Sequence, residues 1–220
     1  MDEPTLLAAL AADLDRAFET LVRARQDRLY SIALRMLGDP SDAEDAAQDA
    51  FVRAYRALAD WEAQRIRELR LDAWLATIVV NIVRTRARRR SAAGRRESLT
   101  FLDELDHPRS VPADTPEGRL TRREASEAWA RRVLALPERY RAPVVLRHVD
   151  GLAYDEIAGV LGRPQGTVKA QVHRGLALLR AMLEAEGPED GPAEAPSTPP
   201  FAPARRTTDI PIPRLQEVTR

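Results

Sequence analysis

The sequence predicts an all-α protein: two small helical domains joined by a flexible linker and followed by a disordered, proline-rich C-terminal tail. Aromatic residues make up only 5% of the 220 residues, and the dominance of Ala, Leu and Arg favours helices. Apolar residues recur at steps of three and four, which is the period of one helix face. Two stretches rich in proline, 91–117 and 187–220, interrupt that period.

Composition excludes several classes of protein. The chain is 44% apolar and 31% charged, which is typical of a soluble globular protein. It has no cysteine, and His107, His148 and His173 lie far apart, so we expect no disulfide framework, no metal site and no cofactor. No run of about 18 apolar residues is present, so we expect no membrane insertion. An intracellular location is therefore expected.

The first domain is predicted to contain three helices after a loose start at residues 1–10. The first runs from Asp13 to Leu37. Ser41 and Glu44 form a capping-box pair, which predicts that the second helix begins there. The third runs from Leu71 to Arg90. The buried stripe of the second helix is predicted to be Ala43, Ala46, Ala47, Ala50, Phe51, Ala54 and Leu58.

Charge is divided between two helices of this domain. The stretch 39–52 has five acids and no base, whereas 84–96 has seven arginines and no acid. The formal net charge of zero argues against binding to nucleic acid. However, salt screens the interaction between charges more than about 10 Å apart, so the charge near a contact matters more for binding than the net charge of the chain. The outer face of the acidic helix comprises Asp42, Asp45, Gln48 and Asp49.

The second domain is predicted to end in a helix-turn-helix at Gly151–Arg180. A helix over 121–135 and another from Pro137 to Asp150 precede it, and Pro143 predicts a kink or a later start for the latter, because an interior proline typically costs about 3 kcal/mol. Gly162 suits the left-handed residue that ends a helix. The buried stripe of the last helix is predicted to be Val168, Val172, Leu176, Leu179 and Leu183, with Gly166, Thr167, Ala170, His173, Arg174 and Ala177 opposite.

These motifs resemble the extracytoplasmic-function (ECF) group of bacterial RNA polymerase sigma factors. The stretches LYSIALRMLGDPSDAEDAAQDAFVRAYRAL (Leu29–Leu58) and LPERYRAPVVLRHVDGLAYDEIAGVLGRPQGTVKAQVHRGLALLR (Leu136–Arg180) are similar to that family's second and fourth conserved regions, in the family's order. The short linker, with no third region, points to the ECF group. The domain boundaries expected from this resemblance are region 2 at 11–90, the linker at 91–117, region 4 at 118–186 and the tail at 187–220.

The resemblance implies a function and a set of site residues. Such a protein joins core RNA polymerase, directs it to promoters, helps to open the −10 region, and is restrained by an anti-sigma factor in the bacterial cytoplasm. The polymerase clamp is expected to meet Asp42, Asp45, Gln48 and Asp49. The −10 element is expected to meet Asn81, Arg84, Arg88 and Arg89, and the −35 element to meet Lys169, Ala170, Gln171, His173 and Arg174. The family often has Asp where this chain has Thr85, and QRIRELR replaces a Gly/Ser-rich stretch within Ala59–Arg70, so the residues that would hold a flipped base stay unassigned.

Other interpretations stay open at this point. The chain is alternatively a stand-alone helix-turn-helix regulator that never contacts polymerase. The acidic face is alternatively a solvated surface, and the arginines alternatively complement the dipole of their own helix. An enzyme is not expected, because the sequence has no phosphate-binding loop and no nucleophile with a partner histidine. Trp61 and Trp74 are expected in the core rather than as platforms for bases.

Overall fold

Every regular element in the described part of the chain is helical. The computed structural model describes residues 2–92 and 128–185, with side chains from 2 to 89 and from 128 to 185. The first range, here the first body, contains α1 (Glu3–Ala12), α2 (Leu14–Leu37), α3 (Pro40–Ala59), α4 (Ala63–Arg67) and α5 (Leu71–Ala92). The second range, the second body, contains α6 (helical over 128–135), α7 (Glu138–Val144), a π-helical turn (Val145–Val149), α8 (Tyr154–Leu161) and α9 (Gln165–Ala185). The predicted all-α fold with two helical domains is confirmed. The predicted linker, apart from its first two residues, and the predicted tail lie outside the described residues.

The core of the first body lies among α2, α3 and α5. The side chain of Asp13 caps α2 by accepting from the Arg16 N–H at 3.1 Å, and Gly38 ends that helix with φ of 76°. The predicted stripe of α3 is confirmed residue by residue, and Phe51 points inward with 8% of its surface exposed. Helix periodicity therefore predicted the inward faces correctly.

The start of α3 differs from the predicted one. Its N-cap is Asp39, whose carboxylate accepts from the Asp42 N–H at 2.8 Å, so the capping box of Ser41 and Glu44 is wrong. Pro40 has a fixed φ suited to the first helical position, so the helix begins before Ser41 and Asp39 takes the capping role.

The loose start predicted for residues 1–10 is also wrong. Helix α1 packs against α2 and α4, and its Leu6, Leu7 and Leu10 are buried. The Glu3 carboxylate accepts a hydrogen bond from the backbone of Leu71 at the start of α5. A ten-residue helix is marginal in isolation, so tertiary packing stabilises α1.

The second body accommodates a proline inside α7. Pro143 has no N–H, so the Arg139 carbonyl loses its donor within the helix. The Arg163 guanidinium donates to that carbonyl at 3.5 Å. Immediately after Val144 the helix widens into the π-helical turn, where the Asp150 N–H donates to the Val145 carbonyl at 3.0 Å.

The helix-turn-helix forms as predicted except at its end. Gly162 adopts the left-handed conformation, with φ of 62°, and α9 follows after two further residues. Val168, Val172 and Leu179 are buried, but Leu183 is 45% exposed, so its predicted burial is wrong. A periodic pattern identifies a face but does not supply the neighbour that buries its last turn.

The two bodies touch each other. Helix α5 lies against α8, and α2 lies against the π-helical turn. The described structure is therefore a closed arrangement of the two helical bodies.

Candidate nucleic-acid and protein interfaces

The acidic face of α3 is assembled as predicted. Asp45, Gln48 and Asp49 are exposed and Asp42 is half-buried, because they alternate with the alanines that α3 buries. Asp45 and Asp49 keep 61% and 52% of their side-chain surface in solvent. Exposed carboxylates on one helix face suit a basic protein partner.

A basic residue that the sequence pattern did not distinguish lies within this acidic face. Arg86 of α5 pairs with Asp49 at 2.6 Å, and its Nη1 lies 3.6 Å from the Asp45 carboxylate and 3.8 Å from that of Asp42. It also donates to the Asp42 carbonyl at 3.3 Å. Helix spacing carries a signal that could have identified this residue. Arg86 follows Asn81 by five residues, so it lies about 140° round α5 from Asn81.

The basic end of α5 presents a second surface. Asn81, Arg88 and Arg89 are exposed, as expected for groups that meet DNA. The Thr85 hydroxyl donates to the backbone carbonyl of Asn81 at 2.9 Å. This hydrogen bond does not involve the Asn81 side chain. At about 100° per residue, Asn81 and Arg88 lie on the side of α5 that faces away from Arg86.

Arg84 is placed differently from the other predicted residues of this surface. It is half-buried, and its pKa lies below the usual range because of burial and then because of the positive charges of Arg163 and Arg88, with Glu138 opposing them. Two of those neighbours belong to the second body. Arg84 therefore lies where the two bodies meet.

The connection before α5 contains Trp61 and the short helix α4, and Trp61 packs against Trp74 in the first turn of α5. Trp74 is 7% exposed and Trp61 is half-buried against it, with ring centroids 5.1 Å apart. Arg65 covers the Trp61 ring at 4.0 Å. The predicted place of Trp74 in the core is confirmed, and Trp61 packs against the edge of that core.

The outer face of α9 is a third surface. Lys169, Ala170, His173 and Arg174 are exposed, and Gln171 is half-buried. The Gln171 amide oxygen accepts from the Arg163 guanidinium at 2.9 Å. The helical projection is confirmed here, since Gly166, Thr167 and Ala177 are exposed as well. A basic helix with small outward residues at its start can approach a DNA major groove closely.

The described residues show neither a metal cluster nor a membrane span. Within residues 2–92 and 128–185, no three His, Cys, Asp or Glu side chains are grouped so that they could hold a metal ion. Among the described helices, none has the length and apolarity that crossing a bilayer needs.

Comparison with known proteins assigns this chain to a family. The family described as Sigma-70 region 2 matches residues 21–93, and Sigma-70, region 4 matches residues 126–179. The ECF RNA polymerase sigma factor SigW of Bacillus subtilis is 33% identical over 175 residues, which cover 76% of this chain and 89% of that protein. The chain belongs to the ECF sigma factors. The ECF sigma factor SigE of Mycolicibacterium smegmatis is 34% identical over 194 residues, covering 86% and 71% of the two chains.

Solved structures agree with this family. CnrH, in complex with the cytosolic domain of CnrY, is 27% identical and has a TM-score of 0.56, covering 84% of this sigma factor and 98% of that chain. The sigma factor RpoE of Bartonella quintana, in complex with the anti-sigma factor NepR, shares the fold at a TM-score of 0.57 and 20% identity, covering 77% and 98%. The chain is therefore a promoter-directing sigma factor, and its second body is the DNA-binding region 4.

Proposed function

We propose that this sigma factor docks on the clamp of core RNA polymerase through the acidic face of α3 and holds promoter DNA with two basic surfaces. The observation that carries the proposal is the arrangement of Asp42, Asp45, Gln48 and Asp49 on one side of α3, with the carboxylates of Asp45 and Asp49 left largely in water. Charge complementarity of this kind speeds encounter and fixes the orientation of a complex. Arg86 neutralises part of the face and holds its carboxylates together.

The −10 element is assigned to α5 and the −35 element to α9. Arg84, Arg88 and Arg89 supply phosphate contacts, which position the duplex without specifying its sequence, and Asn81 supplies a polar side chain beside them. On α9, Arg174 is the strongest candidate to contact a base, because arginine pairs with guanine through two hydrogen bonds. Lys169, Ala170, Gln171 and His173 complete that face.

The division of the chain and its partners follow from the same assignment. Residues 11–90 act as region 2, 118–186 as region 4, and 91–117 as the tether between them. An anti-sigma factor is proposed as the restraining partner. The similar structure of RpoE holds that sigma factor together with the anti-sigma factor NepR, and the similar structure of CnrH holds it together with the cytosolic domain of CnrY. We place the protein in the bacterial cytoplasm and assign it no reaction of its own.

The test is promoter-directed RNA synthesis by core polymerase with this sigma factor added. Replacing Asp42, Asp45 and Asp49 with Asn removes three charges from the face without changing side-chain size. We expect run-off transcription and co-purification with core polymerase to fall at least tenfold, as buried or central charge pairs at interfaces are worth on the order of 1.5 kcal/mol or more.

The matched control removes the same charge elsewhere. Glu19, Asp27 and Glu184 are exposed acids on α2 and α9, outside this face, and changing them to Gln, Asn and Gln should leave transcription unchanged. Full activity of the Asp-to-Asn triple variant would refute the docking assignment. Retained binding to promoter DNA with no dependence on polymerase would instead favour a stand-alone regulator.

A further inference from the structure

A buried ion pair joins the two bodies across 122 residues of sequence. The Arg28 guanidinium of α2 donates to both carboxylate oxygens of Asp150, with Nη2 2.8 Å from Oδ2 and Nε in a shorter contact with Oδ1. The Asp150 side chain has no exposed surface, and that of Arg28 is only 16% exposed. A two-pronged pair of this kind fixes the orientation of both groups as well as their distance.

Neighbouring charges in the first body prepare Arg28 for this contact. Its Nη1 also pairs with Asp72, which Arg25 holds from the other side at 2.8 Å. Burial by itself would lower the pKa of Arg28, but the hydrogen bond and charge of Asp150, followed by the charges of Asp72 and Glu3, raise that pKa above its usual value. The first body thus presents a fixed cation to the second.

Two further arginines make contacts across the same seam. Arg70, the last residue before α5, pairs with Asp155 at 3.1 Å and with Glu156 at 2.8 Å on α8. Arg141 of α7 donates to the Met36 carbonyl at 2.8 Å, near the end of α2. Exposed pairs such as Arg70–Asp155 contribute little, whereas breaking a buried pair leaves an uncompensated charge. Arg28–Asp150 is therefore the contact on which closure depends most.

The closed arrangement is incompatible with simultaneous contact to both promoter elements. The −10 and −35 elements are about 25 base pairs apart, which is about 85 Å along B-DNA. Helix α9 begins four residues after α8 ends, and α8 lies directly on α5. Because α5 and α9 are each only about 30 Å long, surfaces held this close together cannot span that distance.

We propose that Arg28–Asp150 is a latch that keeps the free sigma factor closed and lowers its affinity for promoter DNA until core polymerase separates the bodies. The inference rests on the proposed DNA-binding surfaces of α5 and α9. It assigns an autoinhibitory role to contacts within the chain itself, independent of any anti-sigma factor.

The distance between the bodies gives a direct test on the full-length chain. The protein has no cysteine, so Arg56→Cys and Arg180→Cys, both exposed, place a fluorophore pair on α3 and α9 alone. In this labelled parent we expect a high efficiency of energy transfer with a narrow distribution. In the Asp150→Asn variant, which keeps side-chain size, the open population should rise by on the order of 100-fold.

A matched control separates opening from general destabilisation. Arg23→Gln breaks the ion pair with Glu19 within α2, at 2.6 Å, without touching the seam or the residues around Arg28, and its energy transfer should equal that of the parent. If Asp150→Asn fails to fold, Arg28→Lys keeps the charge but loses the two-pronged geometry, and should open the protein to a smaller extent. Unchanged energy transfer in a folded variant at either latch position would overturn the latch.

Binding of the free protein to promoter duplex gives the second readout. Asp150→Asn should bind at least tenfold more tightly than the wild type, while the two transcribe equally with core polymerase, because polymerase opens both. Opening without any gain in DNA affinity would overturn autoinhibition. Failure of the docking proposal is distinguishable, since it appears as full activity of the α3 Asp-to-Asn variant, whatever the state of the latch.

Discussion

The close approach of α9 to α7 depends on the absence of a side chain at Gly175. A Cβ placed there would lie 2.5 Å from the Val144 Cγ2 and 3.4 Å from the Tyr140 Cβ. Val144 is completely buried, and a β-branched side chain in a helix has one strongly preferred rotamer. Gly175→Ala therefore forces the two helices of the second body apart.

The magnitude follows from two opposing contributions. Alanine in place of glycine favours a helix interior by about 1 kcal/mol, while adding a methyl group to a well-packed core typically costs about 1–3 kcal/mol. At Gly166 of the same helix, a Cβ would have no atom within 4 Å of it, so Gly166→Ala gains helix propensity without the clash. The two variants should differ by about 1–3 kcal/mol in free energy of unfolding, with Gly175→Ala the less stable.

Urea unfolding of the full chain measures that difference, and hydrogen exchange of the α7 and α9 amides confirms where it arises. Gly175→Ala should lose protection in both helices. Val144→Ala removes the methyl group that the new Cβ would meet, so α7 and α9 can again pack closely in the double variant. The double variant should therefore lose less free energy of unfolding than the sum of the two single changes. If Gly175→Ala were as stable as Gly166→Ala, or if the two changes were simply additive, the packing explanation would be refuted.

Three further changes test the surfaces and the local structure. Arg174→Ala should relax preference at one base pair of the −35 element by about 1–3 kcal/mol, measured by titration over promoter variants, and unaltered selectivity would contradict base contact. Arg88→Ala with Arg89→Ala should weaken binding to every sequence and reduce the salt slope by about one unit for each arginine removed from a phosphate, so an unchanged slope would argue against phosphate binding. Asp39→Ala should lower the free energy of unfolding by about 1 kcal/mol because the Asp42 N–H loses its cap, and a variant as stable as the parent would show that the cap is dispensable.

The sequence by itself determined the faces of the long helices. The inward alanines of α3 and the outward residues of α9 followed from the spacing of apolar residues, because a helix turns by about 100° per residue whatever it packs against. That geometry is local, so it also located Asp45 and Arg174 on the solvent side. The match to two regions in family order supplied the promoter-directing function, which spacing alone left open.

Only the tertiary structure decided which elements those faces meet. Helix α1 is stabilised by packing rather than by its own pattern, and Leu183 is exposed although its periodicity indicated burial. Arg86 belongs by sequence to the arginines of α5, and only its position beside α3 makes it part of the acidic face. The pairing of Arg28 with Asp150 depends on two charges far apart in sequence meeting where water is excluded, and no local period encodes such a meeting.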